Sequence, residues 1–263
     1  MKKHSRRELL SNAAYILPNS ITTGNLLFGF LSIYNSINGD FYLAALCILV
    51  ASIFDILDGT VARLVNATSE FGVQYDSLCD LISFGAAPAF LLYLSEFQAL
   101  GKVGLIIPFI YVCCGALRLA RFNVLSAAGE AGGDFSGLPI PMAAIYVATF
   151  ILARVAMGNE FETLLGGESN IISFALASGA FLSFLMVSNV GFGSHKSFDV
   201  KALRFALVFI VLALALVGFM NYPEATGFLL IFTYTLSGPL RSLLFRLRTE
   251  DSSVAFENSD ASI

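Results

Sequence analysis

Four aspartates, Asp55, Asp58, Asp76 and Asp80, lie in segments otherwise apolar enough to cross a membrane. They fall in Asp55-Ile56-Leu57-Asp58-Gly59-Thr60-Val61-Ala62-Arg63, then eight residues, then Gly72-Val73-Gln74-Tyr75-Asp76-Ser77-Leu78-Cys79-Asp80. Charged side chains are costly at such depth and usually mark a functional site facing a polar cavity. At roughly 100° per residue, Asp55, Asp58, Gly59 and Ala62 share about 100° of one helix face. On the following helix Gly72, Asp76, Asp80 and Ser83 share about 80°. Two neighbouring helices can therefore aim four carboxylates at one point. Like charges this close cannot all stay ionised in a poorly hydrated site unless cations neutralise them. Oxygen-only ligation suits a hard divalent ion, with magnesium and manganese the natural candidates. The glycines let a planar or phosphorylated ligand approach the backbone.

These residues need a scaffold, and the composition specifies its kind. With 57% of residues hydrophobic and 13% charged, the chain is too apolar for an ordinary soluble domain. A ~30 Å hydrocarbon core takes a helix of about 20 residues. Eight stretches qualify, near 17–37, 41–64, 73–94, 104–124, 140–157, 170–192, 203–221 and 223–245. They are too long for barrel strands, so the expected fold is all-α, a polytopic membrane helical bundle. Lys2, Lys3, Arg6 and Arg7 precede the first stretch, and Arg63, Arg118, Arg121, Lys196, Lys201, Arg204, Arg241, Arg246 and Arg248 fall on the same side. The positive-inside rule puts both termini and the aspartates towards the cytoplasm. The expected organisation is a basic cytoplasmic segment 1–16, a membrane domain 17–248 and a disordered acidic cytoplasmic tail 249–263.

Little else in the chain competes for a role. Cys47, Cys79, Cys113 and Cys114 lie in predicted spans without metal-binding or redox spacing, and read as small packing residues. Nothing favours nucleic acid. Ser5-Arg6-Arg7 before an apolar run has the look of a twin-arginine signal, but Pro18, Asn19, Thr22, Thr23 and Asn25 interrupt that run, so a retained first helix is expected.

Other polar residues have two readings each. Pro18, Thr22, Asn25 and Gly29 share about 60° of the first helix, either for interhelical hydrogen bonding or to close over the cavity. Arg63 can anchor its helix at the headgroups or pair with a phosphate. Arg118 and Arg121, about 60° apart near the end of the fourth stretch, can anchor it or bind a carboxylate or phosphate.

Asp-x-x-Asp-Gly-x-x-Ala-Arg, eight residues, Gly-x-x-x-Asp-x-x-x-Asp resembles the signature of the CDP-alcohol phosphotransferase family, and every fixed position is matched. Ala116-Leu117-Arg118-Leu119-Ala120-Arg121-Phe122-Asn123, with Ser83-Phe84-Gly85-Ala86-Ala87-Pro88 and Phe135-Ser136-Gly137-Leu138-Pro139-Ile140-Pro141, looks like its phosphatidylserine synthase branch. The resemblance implies a six-helix core and transfer from a CDP-linked lipid, CDP-diacylglycerol first, to a small alcohol, with release of CMP. It implies two divalent ions, with Asp55, Asp58, Asp76 and Asp80 near them and Asp80 as general base. Asn25, Asp58, Gly59, Ala62, Arg63 and Gly72 fall to the nucleotide and diphosphate, and Arg118 and Arg121 to the acceptor. L-Serine is the expected acceptor; glycerol 3-phosphate, inositol phosphate and choline are rivals within the family. Membrane lipids are the surroundings, and a homodimer is admitted as the assembly. A transporter or a non-catalytic lipid-binding scaffold could also bury aspartates in a bundle. Against transport, no chain of ionisable groups runs across the spans.

Overall fold

The structure of the chain, a computed structural model, describes residues 2–64, 69–128, 137–188, 190 and 218–260. Among the described residues there are helices and connecting turns and no strand. Helices α1 (Lys2–Ile37) and α2 (Phe41–Leu64) form a hairpin. Its turn uses Gly39 at φ +80° and Asp40, whose Oδ1 accepts the Leu43 N–H at 3.0 Å. Pro18 sits inside α1, where the Thr22 hydroxyl donates to its carbonyl at 3.1 Å and the Thr23 hydroxyl to that of Asn19 at 2.7 Å. Gly24 lets α2 come close, since a Cβ there would stand 2.6 Å from the Phe54 ring.

Helix α3 (Glu70–Asp80) starts at Ser69, whose Oγ accepts the Gly72 N–H at 2.9 Å. Beyond Asp80 it runs straight into a π-helical stretch (Leu81–Ala86), then α4 (Ala87–Leu92), a second π stretch (Tyr93–Phe97) and a 3₁₀ segment (Gln98–Leu105) that leads to α5 (Ile106–Ala127). Then come α6 (Ile140–Met157), α7 (Asn159–Leu165), α8 (Glu168–Val187) and α9 (Pro223–Asp260).

Four helical runs among the described residues are long and apolar enough to cross a membrane: Phe41–Leu64, Glu70–Ala127, Ile140–Met157 and Glu168–Val187. The second has 58 residues, and a straight helix of that length would reach about 87 Å, nearly three times the hydrocarbon core. It doubles back instead. Gly101 adopts φ 61° and ψ −138°, and the Tyr111 hydroxyl donates to the Phe84 carbonyl at 3.1 Å. The run thus holds both the 73–94 and the 104–124 stretches. The all-helical membrane class stands, but a count of eight is not reached: α1 and α9 are not among the four runs, and most of 203–221 lies outside the described residues.

Helix α6 is the axis of the bundle, packed against α2 and α9 and buried almost all round from Ala143 to Ala153. Its alanines permit close approach. Phe228 of α9 packs its ring 5.4 Å from that of Tyr146 and 5.5 Å from that of Phe150. Gly137, at φ +87°, donates its N–H to the Val190 carbonyl at 2.9 Å, and Leu138 donates to the Leu185 carbonyl at 3.0 Å. A Cβ on Gly137 would come within 2.7 Å of the Met186 carbonyl oxygen. All four cysteines are free, with Cys47 and Cys79 buried. The backbone of α9 continues to Asp260, and no Gly or Pro follows Pro239 to interrupt it.

Glu96 and Arg154 form an ion pair inside the bundle, with Arg154 Nε donating to both Glu96 oxygens at 2.9 and 3.0 Å. Glu96 is 5% exposed. Arg154→Met is expected to destabilise the protein by about 3–5 kcal/mol, because it leaves a buried carboxylate without its partner. Thermal unfolding in detergent checks this, and the double replacement Glu96→Leu/Arg154→Met should recover most of the loss. A single variant as stable as wild type would refute the assignment.

Candidate active site

The four aspartates arrive from two helices, Asp55 and Asp58 from the last turns of α2 and Asp76 and Asp80 from α3. Asp58 and Asp80 are buried, and Asp55 and Asp76 half-buried. One carboxylate oxygen from each of Asp55, Asp76 and Asp80 lies within 4.8 Å of the other two. Asp58 stands beside this triad, in electrostatic range of Asp55 and Asp76. Asp58 Oδ2 and Asp76 Oδ1 are buried without a hydrogen-bond partner. Buried carboxylate oxygens left unpaired, on converging acids, fit a bound cation. The triad can hold a metal ion.

Helix α1 supplies the third wall. Asn25, wholly buried, donates from Nδ2 to Asp80 Oδ1 at 3.0 Å, and the Ser83 hydroxyl donates to the Asn25 carbonyl at 3.0 Å. Ser83 lies in the π stretch directly after Asp80; π turns of this kind re-aim side chains and occur frequently at functional sites. Gly29 makes the approach possible, since a Cβ there would collide with Ser83. Thr23 and Tyr75 join α1 to α3 nearer the mouth, their hydroxyls 2.9 Å apart.

A cavity of about 190 Å³ opens beside the acids, lined by residues of α1, α2 and α3 that include Asn19, Asp58, Gly59, Ala62, Arg63 and Gly72. Five of the six residues expected at the nucleotide thus share one hollow. Asn25 does not line it and sits behind Asp80; Asn19, six residues earlier, is the asparagine on the wall. A Cβ on Gly59 would meet nothing within 4 Å, so packing inside the chain does not require glycine there. Space beside a carboxylate is what a ligand needs. Arg63 is exposed at the rim, its Nε donating to the Gly59 carbonyl at 2.9 Å.

The two arginines of α5 separate. Arg118 is half-buried, its Nε has no hydrogen-bond partner, and it lies in electrostatic range of Asp80. Arg121 is exposed. Only Arg118 is brought to the acids. Sequence reading assigned no role to Ser83, Tyr75 or Asn123, although Ser83 shares the face of Asp76 and Asp80 and both Ser83 and Asn123 lie in the branch-like segments.

Residues 15–177 match the family model for CDP-alcohol phosphatidyltransferases. The chain belongs to the CDP-alcohol phosphatidyltransferase family. This family is one of transferases, and the matched residues include all four aspartates. Among similar proteins, a CDP-diacylglycerol–serine O-phosphatidyltransferase of Helicobacter pylori is 36% identical over 207 residues, 78% of this chain and 84% of that protein. One of Bacillus subtilis is 32% identical over 180 residues, 68% of this chain and 91% of its own length. An archaetidylserine synthase of Methanothermobacter thermautotrophicus is 43% identical over 138 residues, 52% of this chain and 58% of that protein.

Proposed function

We propose that this phosphatidyltransferase is a phosphatidylserine synthase, moving a phosphatidyl group from CDP-diacylglycerol to L-serine and releasing CMP. The observation that carries the reading is the convergence of Asp55, Asp76 and Asp80 beside a cavity and within reach of Arg118. The similar proteins named for serine transfer support the acceptor. The reaction joins the serine hydroxyl oxygen to the lipid phosphorus as the bond from that phosphorus to CMP breaks. Asp55, Asp58, Asp76 and Asp80 would hold magnesium or manganese ions, two by our reading, which when bound would supply charge neutralisation for the diphosphate and for the departing CMP.

The chain's own residues do the rest. Gly59, Ala62 and Gly72, with Asn19 in place of Asn25, shape the cytidine slot, and Arg63 at its rim faces a phosphate. Asp80 takes the proton of the serine hydroxyl as attack proceeds. Asn25, bonded to one oxygen of Asp80, fixes the direction of the other. Arg118 holds the serine carboxylate, for which a guanidinium fork is well shaped. The site faces the cytoplasm, in an inner membrane, a reading supported by the positive-inside rule applied to the basic residues of the sequence. A soluble amino acid and released CMP meet the membrane there.

An acceptor panel tests this. CMP release from CDP-diacylglycerol is expected with L-serine and not with glycerol 3-phosphate, inositol phosphate or choline. Arg118→Lys should raise the serine requirement about ten- to a hundredfold, the worth of a charge-assisted contact of roughly 1.5–3 kcal/mol, and spare the CDP-lipid requirement. Arg121→Lys should change neither. Faster CMP release with another acceptor would overturn the serine reading.

A further inference from the structure

The polar contacts between α3 with its π extension and α5 form an antiparallel series. Phe84 meets Tyr111 deep in the bundle, Arg118 lies in electrostatic range of Asp80 one step out, and at the mouth Ser77 meets Asn123. The last contact is fully specified. Asn123 donates from Nδ2 to Ser77 Oγ at 3.0 Å and, at 3.4 Å, to Gln74 Oε1. The Ser77 hydroxyl also lies 3.3 Å from Asn123 Oδ1, but its one proton has a nearer acceptor in the Val73 carbonyl at 3.0 Å. That leaves the serine lone pairs to Asn123, so both amide protons of the asparagine are satisfied on α3.

We propose that Asn123 is a positioning residue for the acceptor half of the site, clipping α5 to α3 so that Arg118 stands opposite Asp80. The proposal rests on the reading of Arg118 as the acceptor's ligand and deepens it. Its physical basis is the division of the site between helices. Every residue that lines the nucleotide cavity belongs to α1, α2, α3 or the cap Ser69, and none to α5. Helix α5 contributes Arg118 alone. Freeing its cytoplasmic end therefore moves the group that selects the acceptor and leaves the nucleotide wall where it was. An asparagine serving only as a polar helix end would move neither.

The test measures CMP release by the purified full chain while serine and CDP-diacylglycerol are varied separately. Asn123→Ala and Ser77→Ala are each expected to raise the KM for serine about three- to tenfold, the effect of one lost hydrogen bond, with the KM for CDP-diacylglycerol within twofold. The double variant should be no worse than the worse single one, because both remove the same contact. Multiplied losses, equal rises for both substrates or unchanged kinetics would overturn the clip. A second measurement is independent of the acceptor. Ser77→Cys/Asn123→Cys, with the four native cysteines replaced by alanine, is expected to form a disulfide on mild oxidation in membranes. Failure to crosslink overturns the proposal. Wild-type protein that shows no dependence on serine, yet crosslinks in the paired variant, would instead overturn the choice of acceptor.

Discussion

Removing divalent ions with EDTA is expected to abolish CMP release, by at least about a thousandfold, and added magnesium or manganese to restore it. Lewis-acid stabilisation is worth several kcal/mol, and each 1.4 kcal/mol is a factor of ten in rate. The structure supplies the reason. Three carboxylates approach to within 4.8 Å, and at an effective dielectric of about 20 each like-charged pair costs about 3.5 kcal/mol. Among the described residues the ion pair is Arg154–Glu96, so no salt bridge relieves the acids. Arg118 offsets part of the charge on Asp80, and a metal cation is what remains to neutralise the rest. The same ions should raise the thermal stability of the protein, by about 2.7 kcal/mol at a hundred times the dissociation constant. Metal-stripped protein with full activity, or with unfolding indifferent to the ion, would refute the metal site.

Asp80→Asn is expected to lower turnover about 10²–10⁴-fold, the range for a lost general base, and to leave the KM for CDP-diacylglycerol within a few-fold. The substitution keeps the volume of the side chain and an oxygen to accept the Asn25 amide, so the contact with α1 survives. What is lost is the capacity to take a proton. Because Asp80 also belongs to the acid triad, the assay is run at saturating metal. Recovery of turnover at high metal concentration would assign Asp80 to ligation alone, and wild-type turnover would remove it from the chemistry.

Much of this site is legible in the sequence because helical periodicity is rigid. Knowing that Asp55 and Asp58 share a face with Gly59 and Ala62 places them together once the segment is helical, and lipid demands that it be so. Periodicity says which residues share a face and not what that face meets. Asn25 and Asn19 lie six residues apart on one helix, about 120° around it, and the packing of α1 against the π stretch decides that Asn25 reaches Asp80 while Asn19 reaches the cavity. The π turn itself is a register change of one residue, invisible to a pattern of spacing. Arg118 and Arg121 show the same limit: about 60° of arc is enough to put one arginine against the acids and the other in the open. Glu96 and Arg154 escaped for another reason. Each sits near the end of its span, where a charge ordinarily reaches water, and their mutual burial depends on how α6 meets the π stretch before Gly101.

The backbone bonds of Gly137 and Leu138 bear on how this protein can be divided or shortened. Likeness to the family model ends at residue 177, but the carbonyls that receive those two N–H groups belong to Leu185 and Val190. A chain cut where the likeness stops would leave two donors at the foot of α6 without acceptors, in the segment through which α5 hands the chain on to the bundle axis. The later helices are therefore not an appendage carried by a self-sufficient catalytic half. In transplanting this activity to another scaffold, or in trimming it to a minimal enzyme, residue 190 and not 177 is the earliest place to cut.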